Sequence, residues 1–174
     1  VLENPKTNLA SEVISIDGKT IDKIYLKDNR TPVAFEDLSK HLVDNLVATE
    51  DERFYEHSGI DVRRTITAII QMGRRGGGST ITQQLAKLLF HQEEARGGLI
   101  DRMKQKFKEY VISTRLERQY TKQEIITMYY NIYDFGNNGD GIRSAARIYF
   151  GKEPKDINLE EAAMLVGMFK NSSH

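Results

Sequence analysis

Acidic, aromatic and imidazole groups are packed into one short stretch, Ala48 to Gly59, which reads A-T-E-D-E-R-F-Y-E-H-S-G. Glu50, Asp51, Glu52 and Glu56 crowd there around Phe54, Tyr55 and His57. A solvated acidic face does not normally interleave aromatics with its charges. A carboxylate held against apolar walls loses hydration, which favours its protonated form and suits it to proton transfer near neutral pH. Glu50 is the candidate general base. The plainer alternative is that these carboxylates are simply solvated, as most are.

A second stretch, Gly73 to Lys87, reads G-R-R-G-G-G-S-T-I-T-Q-Q-L-A-K. Its consecutive glycines let the backbone approach a ligand closely, and Thr80 with Gln83 forms a T-x-x-Q capping box. A glycine loop feeding a helix N-terminus is a natural seat for an anion. No G-K-[ST] follows the glycines, so this is not a nucleotide-binding P-loop, and a linker before a capped helix has the same sequence. A third group, Arg102, Lys104, Lys106 and Lys108 beside Glu109, reads either as a solvated basic face or as cations aimed at a phosphate. In the second case Glu109 steers them or holds a metal.

The elements that must position these groups follow from periodicity. Residues 11–35 read as strand, Asp17-Gly18 turn and strand, a small structural hairpin on a helical body. Leu38, Leu42, Val43, Leu46 and Val47 then make an apolar stripe at helical spacing that delivers the chain to Glu50. Asp61 can cap the next helix, with Ile66, Ile69 and Ile70. Residues 91–98 read as a loop. Leu99 to Arg118 returns to helical period, with Met103, Phe107, Tyr110, Val111 and Thr114 on one face. Thr121 and Glu124 open another helix, and Phe135 to Gly141 is rich in turn residues. Gly141 to Phe150 forms a short helix stopped by Gly151, and Asn158 with Glu161 caps the last one. The sum is mainly α: one small β element and about seven helices.

Composition narrows the function classes. The 174 residues carry 25 basic and 25 acidic side chains, so attraction to nucleic acid or anionic lipid has to be local. No cysteine is present, which excludes disulfides and thiolate metal sites. Ala162 to Phe169, the longest apolar run, is far too short to span a bilayer. The ends, V-L-E-N-P and N-S-S-H, read as those of an excised fragment. A chain of this length buries roughly 70% of its unfolded surface, enough for one domain.

Taken in order, the stretches resemble the peptidoglycan glycosyltransferase domain, glycosyltransferase family 51, the polymerase module of class A penicillin-binding proteins and monofunctional transglycosylases. Glu50-Asp51-x-x-Phe54-x-x-His57-x-Gly59 is similar to the family's first motif, and Gly78-Ser79-Thr80-x-x-Gln83-Gln84 with Lys87 to its second. Lys106 and Glu109 resemble the third; Tyr129, Asn131, Phe135, Gly136, Gly141, Ala145, Ala146 and Tyr149 to Lys152 the fourth; Glu160 to Gly167 the fifth. Departures are Gln105 where the third motif has arginine, with Arg102 one turn earlier as a substitute, Asn138 and Asp140 after Phe-Gly, and Phe169-Lys170-Asn171 in place of a proline-rich ending.

The resemblance implies a lysozyme-like helical domain over residues 36–174, with residues 1–35 as an N-terminal hairpin segment packed on it. It implies polymerisation of lipid II into glycan strands, the growing lipid-linked strand as donor, with inversion at the anomeric carbon and release of undecaprenyl pyrophosphate. Glu50 and Glu109 are the implied catalytic residues. Ser79, Thr80, Gln83, Gln84, Lys87, Arg102, Lys106 and Asn131 are implied on sugar and pyrophosphate; Asp51, Phe54, His57, Gly59, Gly78, Phe135 and Gly136 are implied as structural. A pyrophosphate leaving group calls for positive charge rather than a proton, from lysines or from Mg²⁺ or Mn²⁺ held by Glu109. Expected partners are the membrane surface, moenomycin-type inhibitors and other cell-wall synthesis proteins, with no nucleic acid. Met72, Phe90 and Leu99 are the expected membrane contacts. The expected location is the outer, periplasmic face of the bacterial cytoplasmic membrane, with an N-terminal transmembrane helix anchoring the parent. No S-x-x-K or K-T-G motif occurs, so no peptide cross-linking is expected of this stretch. The rivals are a murein-cleaving hydrolase or lytic transglycosylase, which has no use for the glycine loop and lysines, and a non-catalytic helical module binding nucleic acid or anionic lipid through Arg63-Arg64, Arg74-Arg75 and the 102–108 stripe.

Overall fold

A computed structural model describes residues 30–70, 78–90 and 99–169, together with the backbone at 11–14 and 20–24. The turn and side chains of the expected hairpin lie outside the described residues, and the hairpin remains an expectation. The glycines 73 and 76–77, Met72, Arg74-Arg75, the 91–98 loop and the Leu99 side chain also lie outside the described residues. The described part is mainly helical, with seven α-helices among the described residues: α1 Lys40–Glu50, α2 Val62–Ile70, α3 Ile81–Leu89, α4 Leu99–Gln119, α5 Lys122–Ile132, α6 Gly141–Phe150 and α7 Leu159–Met168. The chain divides into two compact units, one of residues 1–45 and 127–174, the other of 46–126.

The first unit has an aromatic core. Phe169 lies with its ring centroid 4.4 Å from Tyr133, 5.1 Å from Tyr129 and 5.5 Å from Phe135. The Tyr133 and Tyr129 contacts are edge-on and each adds about 0.5–1.5 kcal/mol to the burial term. The buried Tyr130 hydroxyl donates to the Leu42 carbonyl at 2.7 Å, and burial raises its pKa well above the ordinary tyrosine value. Asn131 clasps the extended segment before α1: its amide donates to the Val33 carbonyl and its carbonyl accepts from the Val33 N–H, each at 2.9 Å. The Phe135–Gly141 loop turns through left-handed backbone at Gly136, Asn137 and Asn138, with the Tyr149 hydroxyl donating to the Phe135 carbonyl at 2.8 Å. The α7 capping box of Asn158 and Glu161 forms as its sequence requires.

The second unit is built on α3 packed against α4, with Leu46, Phe54, Ile81, Leu85, Ala86, Leu116, Ile125 and Ile126 buried. Here the apolar face read for α4 is corrected. Met103, Phe107 and Val111 are 65%, 69% and 43% exposed, while Glu109, Ser113 and Leu116 are buried. The physical reason is close approach: a Cβ on Gly59 would lie 2.9 Å from the Ser113 carbonyl carbon and oxygen, so the 50s loop sits against a narrow, partly polar strip of α4. Gly59 also has φ +89°, which a side chain would strain. Ile66 of α2 is likewise exposed.

Candidate active site

The residues singled out by sequence gather chiefly in the 46–126 unit, in two groups joined by the segment entering α3. The first is centred on Glu50, the last residue of α1. Its Oε2 accepts a hydrogen bond from the Gln84 amide at 2.8 Å. Its Oε1 is buried and has no hydrogen-bond partner among the described residues. Burying a carboxylate oxygen without a donor is costly, so such an atom calls for a ligand.

Asp51, the next residue, turns away into the unit and holds its walls together. Its carboxylate accepts from His57 Nε2 at 3.0 Å and from the Ile81 N–H, at the start of α3, at 3.1 Å. An anion at that helix end also complements the α3 dipole. The Gly59 N–H donates to His57 Nδ1 at 3.2 Å, so a ring carrying its proton on Nε2 satisfies both contacts. Phe54 is fully buried, with the Lys122 ammonium 4.2 Å from its ring centroid.

Thr80 and Gln83, implied on substrate, form the expected capping box at the start of α3. Both are buried, and both donate to the Gly59 carbonyl, Thr80 Oγ1 at 2.7 Å and Gln83 Nε2 at 3.2 Å. Asn131, also implied on substrate, lies in the other unit, where its amide bonds to the Val33 main chain. Phe135 and Gly136 also belong to that unit, one in the aromatic core and one in a turn.

The second group is Ser79, Lys106 and Glu109. The Lys106 ammonium donates to Ser79 Oγ and to Glu109 Oε2, each at 2.6 Å. Glu109 is 7% exposed and Lys106 about a third exposed, so a buried anion anchors a cation whose far side meets solvent. Lys87 is exposed in the last turn of α3, and Gly78 is half-buried just before Ser79. Arg102 lies on α4, its side chain outside the described residues.

A metal held by Glu109 would have to share its carboxylate with the Lys106 ammonium, two cations on one anion. Among the described residues no group of three or more metal-binding side chains is assembled either. The donor set does not fit a resident divalent ion.

Two further features escaped the sequence reading. Glu117, a buried carboxylate on α4, accepts from Thr82 Oγ1 at 2.5 Å and from the Lys122 ammonium at 2.9 Å, while that ammonium also donates to the His57 carbonyl at 2.7 Å. Arg64 donates to the Glu50 main-chain carbonyl at 2.5 Å. Charged residues at ordinary helical spacing give no sequence signal for such long-range bonds.

A family model described as "Transglycosylase" matches residues 17–174. Penicillin-binding protein 2a of Streptococcus pneumoniae is 41% identical over 140 residues, 80% of this chain and 18% of that protein. Penicillin-binding protein 1A of Pseudomonas aeruginosa is 36% identical over 176 residues, 99% of this chain and 21% of that protein. Penicillin-binding protein 1F of Bacillus subtilis is 37% identical over 168 residues, 94% of this chain and 22% of that protein. The chain thus spans about a fifth of the length of the curated relatives it matches.

Proposed function

The chain belongs to the transglycosylase family of the penicillin-binding proteins, and from that premise we propose that it is a peptidoglycan glycosyltransferase of lysozyme-like fold that polymerises lipid II. The observation that carries the proposal is the Glu50 carboxylate: one oxygen is held by Gln84, the other buried and kept without a partner among the described residues. That oxygen accepts the proton of the acceptor sugar's 4-hydroxyl. As the proton moves to Glu50, the hydroxyl oxygen bonds to the donor's anomeric carbon from the face opposite the leaving group. The bond from that carbon to the pyrophosphate breaks, its electron pair leaves with undecaprenyl pyrophosphate, and the configuration inverts. The leaving group departs as an anion and needs cations, not a proton.

Lys106 is the cation best prepared for this. Glu109 fixes its ammonium and Ser79 lies beside it, so the charge is oriented before substrate arrives. Glu109 is therefore read as the residue that orients the cation. Lys87 and Arg102 are proposed as further positive charges toward pyrophosphate. Moenomycin-type inhibitors would occupy the donor side, and other cell-wall synthesis proteins are proposed partners. Because donor and acceptor carry polyprenyl tails, the site works at the outer face of the cytoplasmic membrane, with the parent protein anchored there. Among the described residues no helix is long and apolar enough to cross a membrane. The exposed α4 stripe of Met103, Phe107 and Val111 is the proposed lipid contact, in preference to Phe90, which is half-buried.

The test is polymerisation of labelled lipid II in detergent by the wild type beside Glu50→Gln. Glycan strands from the wild type and a loss of at least about a hundredfold in the variant are expected, since general-base catalysis contributes about 10²–10⁴-fold. Equal strand formation by both would remove Glu50 from the reaction and leave Glu109 as the group to vary next.

A further inference from the structure

Arg64 lies beyond the motif that ends at Gly59, and its side chain returns to the start of that motif. Glu50 closes α1, and the Asp51 N–H makes the last bond of that turn, to the Val47 carbonyl at 3.0 Å. The Glu50 carbonyl is among the helix-end acceptors that need a donor from elsewhere. Arg64 Nη1 supplies it at 2.5 Å, and lies 4.0 Å from Asp51 Oδ1. A cation at a helix C-terminus also opposes the negative end of the dipole.

Arg64 is itself anchored. Its N–H donates to Asp61 Oδ1 at 3.0 Å, and Arg53 forks onto Asp61 Oδ2 through Nε at 2.9 Å and Nη2 at 2.7 Å. The result is a closed loop: the side chain of residue 64 is tied to the backbone of residue 50, with Asp51, Phe54, His57 and Gly59 between. Glu50 is then restrained at two points, its carbonyl by Arg64 and its carboxylate Oε2 by Gln84. Only Oε1 is left to meet a hydroxyl.

We propose that Arg64 is a positioning residue for Glu50, fixing the end of α1 so that the carboxylate meets the acceptor hydroxyl in a reactive geometry. This rests on the role given to Glu50 above. Arg64 touches no reacting atom; it acts through the main chain. A displacement of about 1 Å at a reacting group costs on the order of a hundredfold in rate, so the loss belongs in kcat and not in substrate binding.

The experiment measures kcat and KM for lipid II, and the melting temperature, for wild type, Arg64→Met, Arg64→Lys and Glu50→Gln. Arg64→Met is expected to lower kcat about 10- to 100-fold with KM within about twofold. Arg64→Lys keeps an N–H donor for the one carbonyl and should recover most of that loss. A merely structural Arg64 gives a different pattern: kcat, KM and melting temperature worsen together, and the lysine variant fares no better. That pattern, or wild-type kcat in Arg64→Met, overturns the proposal. Glu50→Gln separates the two levels: wild-type rates from it remove the base assignment itself and this inference with it, whereas an inactive Glu50→Gln beside a fully active Arg64→Met removes only Arg64.

Discussion

At the scale of single residues, Asp61 shows how a charge can be structural without touching the chemistry. Burial alone would raise its pKa, but the Arg64 N–H and the Arg53 guanidinium outweigh that and hold it below the usual aspartate value. The group is thus more acidic folded than unfolded. Its contribution to stability is complete above the unfolded value, about pH 4, and is lost as pH falls through the lower folded value. Urea midpoints measured from pH 7 to pH 3 should therefore show wild type ahead of Asp61→Asn at neutral pH, with the gap closing below about pH 4. A gap that stays constant through acid would sink the assignment. Sequence disclosed Asp61 as a helix cap but not the fork from Arg53, because a bidentate bond depends on where the turn between them places two side chains. The same limit hid Arg64. Glu50 was legible because carboxylates, aromatics and histidine share one short stretch; the guanidinium that holds its backbone lies 14 residues away.

At the scale of elements, helix starts were the most legible features. Capping boxes at Thr80 and Asn158 both form, since a hydroxyl or amide three residues before Gln or Glu answers a purely local need. Thr80 is unusual in working twice: its Oγ1 accepts from the Gln83 N–H at 3.2 Å and donates to the Gly59 carbonyl at 2.7 Å. Thr80→Ala should cost about 2 kcal/mol, from a lost cap and a carbonyl left buried without that donor. Thr80→Ser should restore most of it. Denaturant midpoints at unchanged m decide this, and a Thr80→Ala loss below about 0.5 kcal/mol would contradict the double role. Faces were less legible than starts. The side of α4 with Met103, Phe107 and Val111 had the right period for a core, yet Glu109, Ser113 and Leu116 are the buried ones. Periodicity reveals that a helix has an apolar side, and tertiary packing determines which side is covered. On α4 a glycine backbone requires a flat strip, and Ser113 provides it.

At the scale of the whole molecule, helical content and element order were readable from the spacing of apolar residues, and the family from motifs in sequence order. The use of individual polar side chains was not: Thr80, Gln83 and Asn131 carry family-motif positions, yet in this fold they bond to backbone. The chain has no net charge, so any electrostatic attraction to a lipid surface has to be local, and the proposed contact of Met103, Phe107 and Val111 is apolar. Flotation with uncharged phosphatidylcholine vesicles should bind the wild type and lose about tenfold in affinity when Met103, Phe107 and Val111 are all changed to serine. The melting temperature should hardly move, because those side chains already face solvent. Undiminished flotation of the triple variant would place the lipid contact elsewhere.

That stripe has a chemical consequence of its own. With no cysteine in the chain, an oxidant has only methionine sulfur to attack, and Met103 is 65% exposed. A peroxide delivers one oxygen to the thioether and leaves as water, turning an apolar side chain into a polar sulfoxide. Repair by a sulfoxide reductase reverses it. If the stripe is the lipid contact proposed above, oxidation of Met103 would put a reversible polar mark one turn before Phe107 and weaken that contact.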